Sequence, residues 1–578
     1  QTWCSSDLIR IRRCRRGKKV IHSKSAISEA AGTDQEMHRL SRRSVTVGAV
    51  AMAAMPFGAQ TQTSLGKSLP EKEAGAARSG GTLAFSVTVG EPSNYDGHAS
   101  TSISVLHRLA PHYSTLVKIS QSRYPEIVGD AAESWQVSDD GLSYRFVLWP
   151  DIRFHDGSVL RSDDVVASYS RIVTPPNGVV SAREQLYQDI AAIEALDERT
   201  VVFRLARQNA AMMTLFASPW NFLYSARKLA DDPRFPERNV LGTGPFRFVR
   251  HIAGSEWVGI RFNEYFRRGR PYLDGFRVLS MEQPAAVSAM SGGQLHTDFR
   301  GFSVQERDTI LGARGSAMRT GDAEQPSFLA LTFNAARPPF DDTRVRLALH
   351  ISLDRWGGST GLQRTSIYNS VGGLQRNGAP FAGRRDEILA LPGFGLDMQA
   401  NRDRARRLLA EAGQSSLKIN LTSRRDYLPL ALFMIDQWRQ IGVAAEQDVL
   451  DNTRFFARLA SGVFDVTIDG TVDYVDEPIL QLQSYQSFDV NRNNRTRAID
   501  RTVDDLYERQ IRARDSVERR QLVRALEAHL MAQAYRVPLF WGKRYMVAAT
   551  EMRGYNLDNP STLIGQDLSD VWLDAPQR

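Results

Sequence analysis

Cysteine is almost missing from this chain: two in 578 residues, Cys4 and Cys14. From residue 15 onward no disulfide, cysteine-ligated metal or thiol nucleophile can form, a composition compatible with an oxidising compartment. Beyond residue 60 there is no run of 18 or more apolar residues, so no later segment reads as a helix crossing a bilayer. Charge of one sign is also lacking in the body. Residues 1–59 hold 11 Lys/Arg against 4 Asp/Glu, whereas residues 60–578 hold 62 against 61. The net charge of +8 therefore belongs to the first tenth, and nucleic acid is not an expected partner. His-Glu-x-x-His, a Walker loop and a Gly-x-Ser-x-Gly elbow are absent as well, which removes the local signatures of zinc proteases, P-loop NTPases and α/β hydrolases.

Three weaker signals lead nowhere. Ser225-Ala226-Arg227-Lys228 fits Ser-x-x-Lys but has no Lys-Thr-Gly companion. Gly242-Thr243-Gly244-Pro245 lacks the third glycine of a dinucleotide fingerprint. His98, His107 and His112 lie close in sequence, yet histidines in such a stretch more often hydrogen-bond than ligate. Neither a metal nor a cofactor is expected.

What is present is an ordinary soluble composition, 42% hydrophobic and 24% charged, with length for about three or four domain-sized units. Met37 to Ser44 forms a basic n-region, Val45 to Met55 an uncharged run, and Pro56 to Gln60 a cleavage-like tail. This is the plan of a secretory signal over 37–59, cut near Ala59. Ser41-Arg42-Arg43 favours a twin-arginine signal. Residues 1–36 read as a non-native N-terminal extension and 60–80 as a flexible tether. Export is the expectation.

The body alternates strands and helices. Gly81–Val87 is a strand by its period of two. Trp135–Val137 and Tyr144–Leu148 flank Asp139-Asp140-Gly141 as a hairpin. Ser162 is expected to cap a helix whose stripe is Val165, Val166, Tyr169, Ile172 and Val173. Strands are expected at Thr200–Leu205, Phe246–Val249, Leu329–Asn334, Leu417–Leu421, Val463–Ile468 and Val537–Trp541. Helices are expected from Asp342 through Ile351, over Arg402–Ala412 and Leu430–Ile441, and from a Ser516 cap. Glycines 413 and 442 end two of them. Mixed α/β lobes result.

Four blocks carry a resemblance. They are Glu133 to Phe146 with its continuation Phe154 to Val165; Gly242-Thr243-Gly244-Pro245-Phe246; Phe333-Asn334 through Asp341 to Leu349; and Val537-Pro538-Leu539-Phe540. In order and spacing they resemble the family 5 extracellular solute-binding proteins of ABC importers, over about residue 80 to the C-terminus. The resemblance implies an α/β, two-lobe periplasmic-binding-protein fold of type II. It carries an extra subdomain on lobe I and a two-strand hinge that lets the lobes close. Lobe I would comprise 80–328 plus 540–578, and lobe II 329–539. The Leu329–Asn334 and Val537–Trp541 strands sit where the chain would cross.

The resemblance also implies a site. In peptide-binding relatives an Asp before a Tyr, ahead of an acidic-Pro pair, holds the peptide ammonium. Here Gly470-Thr471-Val472-Asp473-Tyr474-Val475-Asp476-Glu477-Pro478 is similar with one extra residue. Asp473 is the first candidate, Asp476 the second, with Tyr474 beside them. The relatives' nearby aromatic and arginine are replaced by Ile468, Asp469 and Thr471, and Asn493–Arg497 ahead of Val503-Asp504 is altered too. A cationic or uncapped solute therefore stays open. Tyr95, Trp220 and Trp541 are candidate cleft aromatics, and Asn334 a candidate for ligand or hinge backbone. The expected protein is a monomeric receptor, not an enzyme, for a peptide-like solute. Its partner is an ABC permease, and it makes no stable membrane insertion. The alternatives are a receptor for a nickel chelate, oligosaccharide or opine, and a secreted α/β hydrolase.

Overall fold

The computed structural model describes residues 65–67, 77–88 and 90–574. The expected extension and leader, both cysteines, and 60–64 and 68–76 of the expected tether lie outside them. Within that tether, Leu65–Lys67 pairs antiparallel with Ser134–Gln136, and Gly80 N donates to Tyr272 O at 2.8 Å. Backbone pairing thus ties down parts of a stretch that composition alone marks as loose.

Two long strands organise the rest. In chain order the main sheet comprises β1 (Thr82–Val87), β2 (Phe246–Ile252), β3 (Glu256–Arg261), β4 (Gly275–Ser280), β5 (Thr297–Asp298), β6 (Met318–Phe333), β7 (Lys418–Arg424), β8 (Ala444–Leu450), β9 (Val466–Val472) and β10 (Arg536–Ala549). Their order is β8-β7-β9-β6-β10-β5-β1-β4-β3-β2, with Tyr368–Ser370 an eleventh strand on β10. β6 and β10 run antiparallel from Met318↔Ala549 to Glu324↔Lys543 and resume from Phe328↔Trp541 to Thr332↔Arg536. Gln325, Pro326 and Ser327 are left unpaired with β10 at the irregularity. One continuous pair of strands therefore serves two half-sheets, β9-β7-β8 on one side and β5-β1-β4-β3-β2 on the other. A second, antiparallel sheet holds Ala132–Val137, Ser143–Leu148, Thr200–Leu205 and Ile190–Ala195. The Asp139–Gly141 hairpin is its centre, Gly141 taking φ 68° at the turn.

Helices cover the sheets: α1 (Ile103–Leu109), α2 (Ser162–Val173), α3 (Thr343–Ile351), α4 (Met398–Glu411), α5 (Leu428–Arg439), α6 (Pro478–Leu482), α7 (Arg501–Arg512) and α8 (Ser516–Gln533). Asp342 caps α3 through Arg344 N at 2.8 Å. Two expected caps shift by one residue. At α2 the cap position is Arg161, whose N–H is taken by Asp164 Oδ2 at 2.7 Å, while Ser162 turns its hydroxyl to Asp197 O. At α8 the cap is Asp515, accepting from Val517 N and Glu518 N. At α8 one carboxylate thus satisfies two of the free N–H groups at the helix start. Val165, Tyr169 and Ile172 are buried in the α2 stripe, and Val166 and Val173 pack against it half-buried. No helix among the described residues is long and apolar enough to cross a membrane.

The set-aside motifs have packing explanations. A Cβ on Gly242 would stand 2.1 Å from His112 O, and one on Gly244 2.5 Å from Tyr113 N. Close backbone approach, not a phosphate, accounts for both glycines. His98 Nε2, His107 Nε2 and His112 Nδ1 bond the carbonyls of Phe222, Thr562 and Phe246. Burial pushes each imidazole down to about 3.

Candidate ligand-binding site

The site forms where β9 runs out. Gly470 lies against β6 so closely that a Cβ would meet Leu329 Cδ2 at 2.8 Å and Phe328 O at 3.1 Å. The chain then leaves the sheet with Asp473 N donating to Pro326 O at 2.8 Å, at the irregularity between β6 and β10. This contact turns the motif toward the elements that precede β6. The Tyr474 hydroxyl donates to Thr214 O at 2.8 Å, and the Tyr124 hydroxyl to Asp476 Oδ2 at 2.8 Å, with Asp476 N returning a bond to Tyr124 at 3.0 Å.

The acids here differ in their partners. Asp469 accepts from Thr332 Oγ1 at 2.7 Å, Arg536 Nε at 3.1 Å and Arg495 Nη1 at 2.6 Å. Despite burial, the two arginines hold its carboxyl below the usual range. Asp476 takes Arg376 through Nε at 3.0 Å and Nη2 at 2.7 Å, besides Tyr124. Glu477 pairs with Arg519 and accepts from Ile479 N at the start of α6. Asp473 has no such set. Its Oδ2 is out of solvent and without a hydrogen-bond partner. Burial, then the neighbouring Asp476 charge, pushes this carboxyl up to about 7, against the opposing pull of Arg536. A buried carboxylate in this condition favours a proton or a cation.

Other buried polar atoms stand open nearby. Thr471 Oγ1, beside Phe328, and Glu324 Oε2, near Arg376, lack partners. From the preceding elements, Arg183 acts on Tyr474 and lies 5.6 Å from the Trp220 ring, whose Nε1 is likewise unpartnered. Farther along, Arg512 of α7 forks onto Asp189 at 2.8 and 3.0 Å, and Ala210 N donates to Ile511 O at 2.9 Å. A small cavity of about 60 Å³ lies beside them, lined by Gln185, Gln188 and Asn209 on one side and Ile479, Gln483 and Tyr507 on the other.

The structure thus brings Asp473, Tyr474 and Asp476 together, with Asp476 already engaged by Arg376. Trp220 approaches them through Arg183. Trp541 lies one strand away, fully buried, 4.8 Å from Phe328 and donating to Gly373 O at 2.9 Å. Two candidates are not brought there. Asn334 donates to Gly462 O and Phe464 O, pinning the end of β6 to the loop before β9. Tyr95 bonds His251 Nδ1 at 2.8 Å and packs edge-on to Trp257. Sequence reasoning missed Tyr124, Arg376, Arg183 and Arg512, whose partners are hundreds of positions distant or carry no local pattern.

Two half-sheets built on one shared pair of long strands give the mixed α/β, two-lobe architecture of a periplasmic binding protein. Residues 126–492 match "Bacterial extracellular solute-binding proteins, family 5 Middle", and the chain belongs to that family. It is 25% identical over 463 residues to the dipeptide-binding protein of Pseudomonas aeruginosa, covering 74% of this chain and 83% of that one. Among solved structures it is similar to the periplasmic binding protein DppA from Helicobacter pylori in complex with peptide STSA. That likeness has a TM-score of 0.75 at 19% identity, covering 86% of this chain and 98% of the other. It is similar too to AgaA in complex with agropinic acid from A. tumefacien R10. There the TM-score is 0.71 at 23% identity, covering 86% and 99%.

Proposed function

We propose that the protein is the exported receptor of an ABC importer, closing two lobes over a peptide-like solute and delivering it unaltered to a membrane permease. The lobes are 80–328 plus 540–578 and 329–539, hinged where β6 and β10 cross. The solute's ammonium pairs with Asp473. One observation carries this: among the acids of the motif, Asp473 alone has a carboxylate oxygen buried without a partner, at the seam of elements preceding and following β6. Its family, the 37–59 leader and the peptide-binding relative support the same reading. Ligand favours the closed form by its differential affinity for closed over open.

The test is calorimetric titration of dipeptides into wild type and Asp473→Ala. The variant is expected to lose binding of amine-bearing solutes, about 100-fold or more for a buried charge pair, without a lower unliganded melting temperature. An unchanged dissociation constant sinks the assignment. Turnover of any substrate in a hydrolase panel sinks the receptor reading.

A further inference from the structure

One cavity lies apart from the acidic motif of the candidate site. The space of about 60 Å³ beside the Arg512–Asp189 pair has none of Asp473, Tyr474 and Asp476 in its wall. One side comes from Gln185, Gln188 and Asn209, which precede β6, and the other from Gln483 and Gln486, which follow α6. Three contacts join the two sides at its rim. Arg512 forks onto Asp189 at 2.8 and 3.0 Å, Arg207 Nη1 donates to Glu508 Oε1 at 2.7 Å, and Ala210 N donates to Ile511 O at 2.9 Å. Drawing the sides apart breaks all three and opens the cavity.

The wall selects its occupant by chemistry. Asp189 is the only charged residue in it, and Arg512, Arg207 and Asn209 already take that carboxylate. An ion would enter without a counter-charge, at a cost in a small enclosed space. The polar groups that remain are amides, each with both a donor and an acceptor side. Those of Gln185, Gln188 and Gln486 bond no described residue, and that of Gln483 reaches only Leu480 O, at 3.4 Å. Between the amides, Leu186, Ile479 and Ile511 supply an apolar surface. Tyr507 adds its ring, its hydroxyl being spent on Ile479 O at 3.3 Å. Such a wall suits a neutral molecule with hydroxyls along one edge and C–H groups behind them. At roughly 10–15 Å³ for each water-sized position, the cavity takes about four to six of them, the bulk of a small polyol and less than a sugar ring.

We propose that this cavity is an effector site for a small neutral polyol, which binds only while the two sides are together and so stabilises the closed receptor. The site is separate from solute recognition at Asp473, and its effect on closure rests on the two-lobe receptor reading above. A ligand held by the closed form alone shifts the equilibrium by its whole binding free energy.

The probe is glycerol, with sucrose at matched osmolality as a control too bulky for the cavity. Saturation-transfer NMR reads glycerol on the protein without solute. Closure is read by energy transfer between fluorophores at Leu196→Cys and Val517→Cys, exposed positions before and after β6, in a chain with no cysteine of its own beyond residue 14. A saturable glycerol signal is expected, with a rise in transfer over the same concentrations. At three times glycerol's own dissociation constant, dipeptide affinity should tighten by up to about fourfold. Sucrose should give no saturable response. Gln486→Leu and Gln188→Leu should each weaken the glycerol response about 3- to 10-fold, as one hydrogen-bonding group is lost, with dipeptide affinity in plain buffer unchanged. No saturable glycerol signal, an equal response to sucrose, or variants as responsive as wild type overturns the site and leaves the receptor standing. Glycerol bound with no change in transfer overturns its coupling to closure. Glycerol bound with closure shifted, but no dipeptide retained, supports the effector site and overturns the peptide reading instead.

Discussion

Asp473 and Asp476 are three positions apart and chemically identical, yet only one is free to meet a cation. The difference lies in Arg376 and Tyr124, which take both Asp476 oxygens and its N–H, while Asp473 keeps a buried oxygen unmatched. The consequence for pH has a definite sign. An Asp carboxyl titrates near 3.9 in an unfolded chain, and this one at about 7 in the folded, unliganded protein. The folded state thus holds the proton longer, and this group's contribution to stability falls as pH climbs from about 4 to 7, then levels. An amine-bearing solute that pairs with the ionised carboxyl must displace that proton below pH 7. Its affinity should rise from pH 5 to pH 8, by up to about tenfold per unit. Calorimetry in buffers of different ionisation enthalpy should record about one proton released per solute near pH 5.5; no proton release refutes the pairing. The local motif made Asp473 and Tyr474 legible. Asn334 looked equally suited by its place at a strand end, but its amide meets two carbonyls that only folding brings near.

At the scale of elements, the Asp473–Asp476 segment sits between a strand end and a hairpin. Gly470 lets β9 lie on β6 before the chain turns out at Asp473, so Gly470→Ala should lower stability by about 1–3 kcal/mol through overpacking, seen as an earlier denaturant midpoint. The antiparallel pair Val117–Ile119 and Ile127–Gly129 carries Tyr124 to Asp476 from elements that precede β6. Tyr124→Phe removes both bonds of that hydroxyl. It should speed solute dissociation by about 5- to 20-fold, for one to two hydrogen bonds, with association unchanged. Stopped-flow kinetics decide this, and equal rates in variant and wild type dismiss the hairpin as a closing element. Apolar alternation and caps made most elements legible, including Thr200–Leu205 and the helix from Asp342 to Ile351. The caps at Ser162 and Ser516 moved by one residue: Asp515 reaches two free N–H groups at the start of α8, and at α2 Asp164 reaches back to Arg161 N while the Ser162 hydroxyl turns to Asp197 O. The length of β6 was not legible, since its first half, Met318–Glu324, has no regular apolar alternation and is fixed by pairing with β10.

Across the whole molecule, segments far apart in sequence are clasped together. Arg512 grips Asp189 and Gln208 O, and Glu508 joins Arg512 to Arg207. Arg512→Ala would leave Asp189 with Asn209 and the exposed Arg207. Losing a partly solvated pair should raise the dissociation rate about tenfold and enlarge the unliganded radius of gyration by X-ray scattering. An unchanged radius together with unchanged kinetics would show that the clasp does not govern closure.

The sequence by itself determined the alternation of strands and helices, the family and the Asp-Tyr motif, because periodicity, capping chemistry and short motifs act between residues near in the chain. Tertiary structure alone decided which charges are matched. Asp476 meets Arg376 and Tyr124, Asp189 meets Arg512, and Asp473 keeps a buried oxygen without a hydrogen-bond partner. A charge's value depends on what surrounds it once water is removed, and residues hundreds of positions away supply those surroundings.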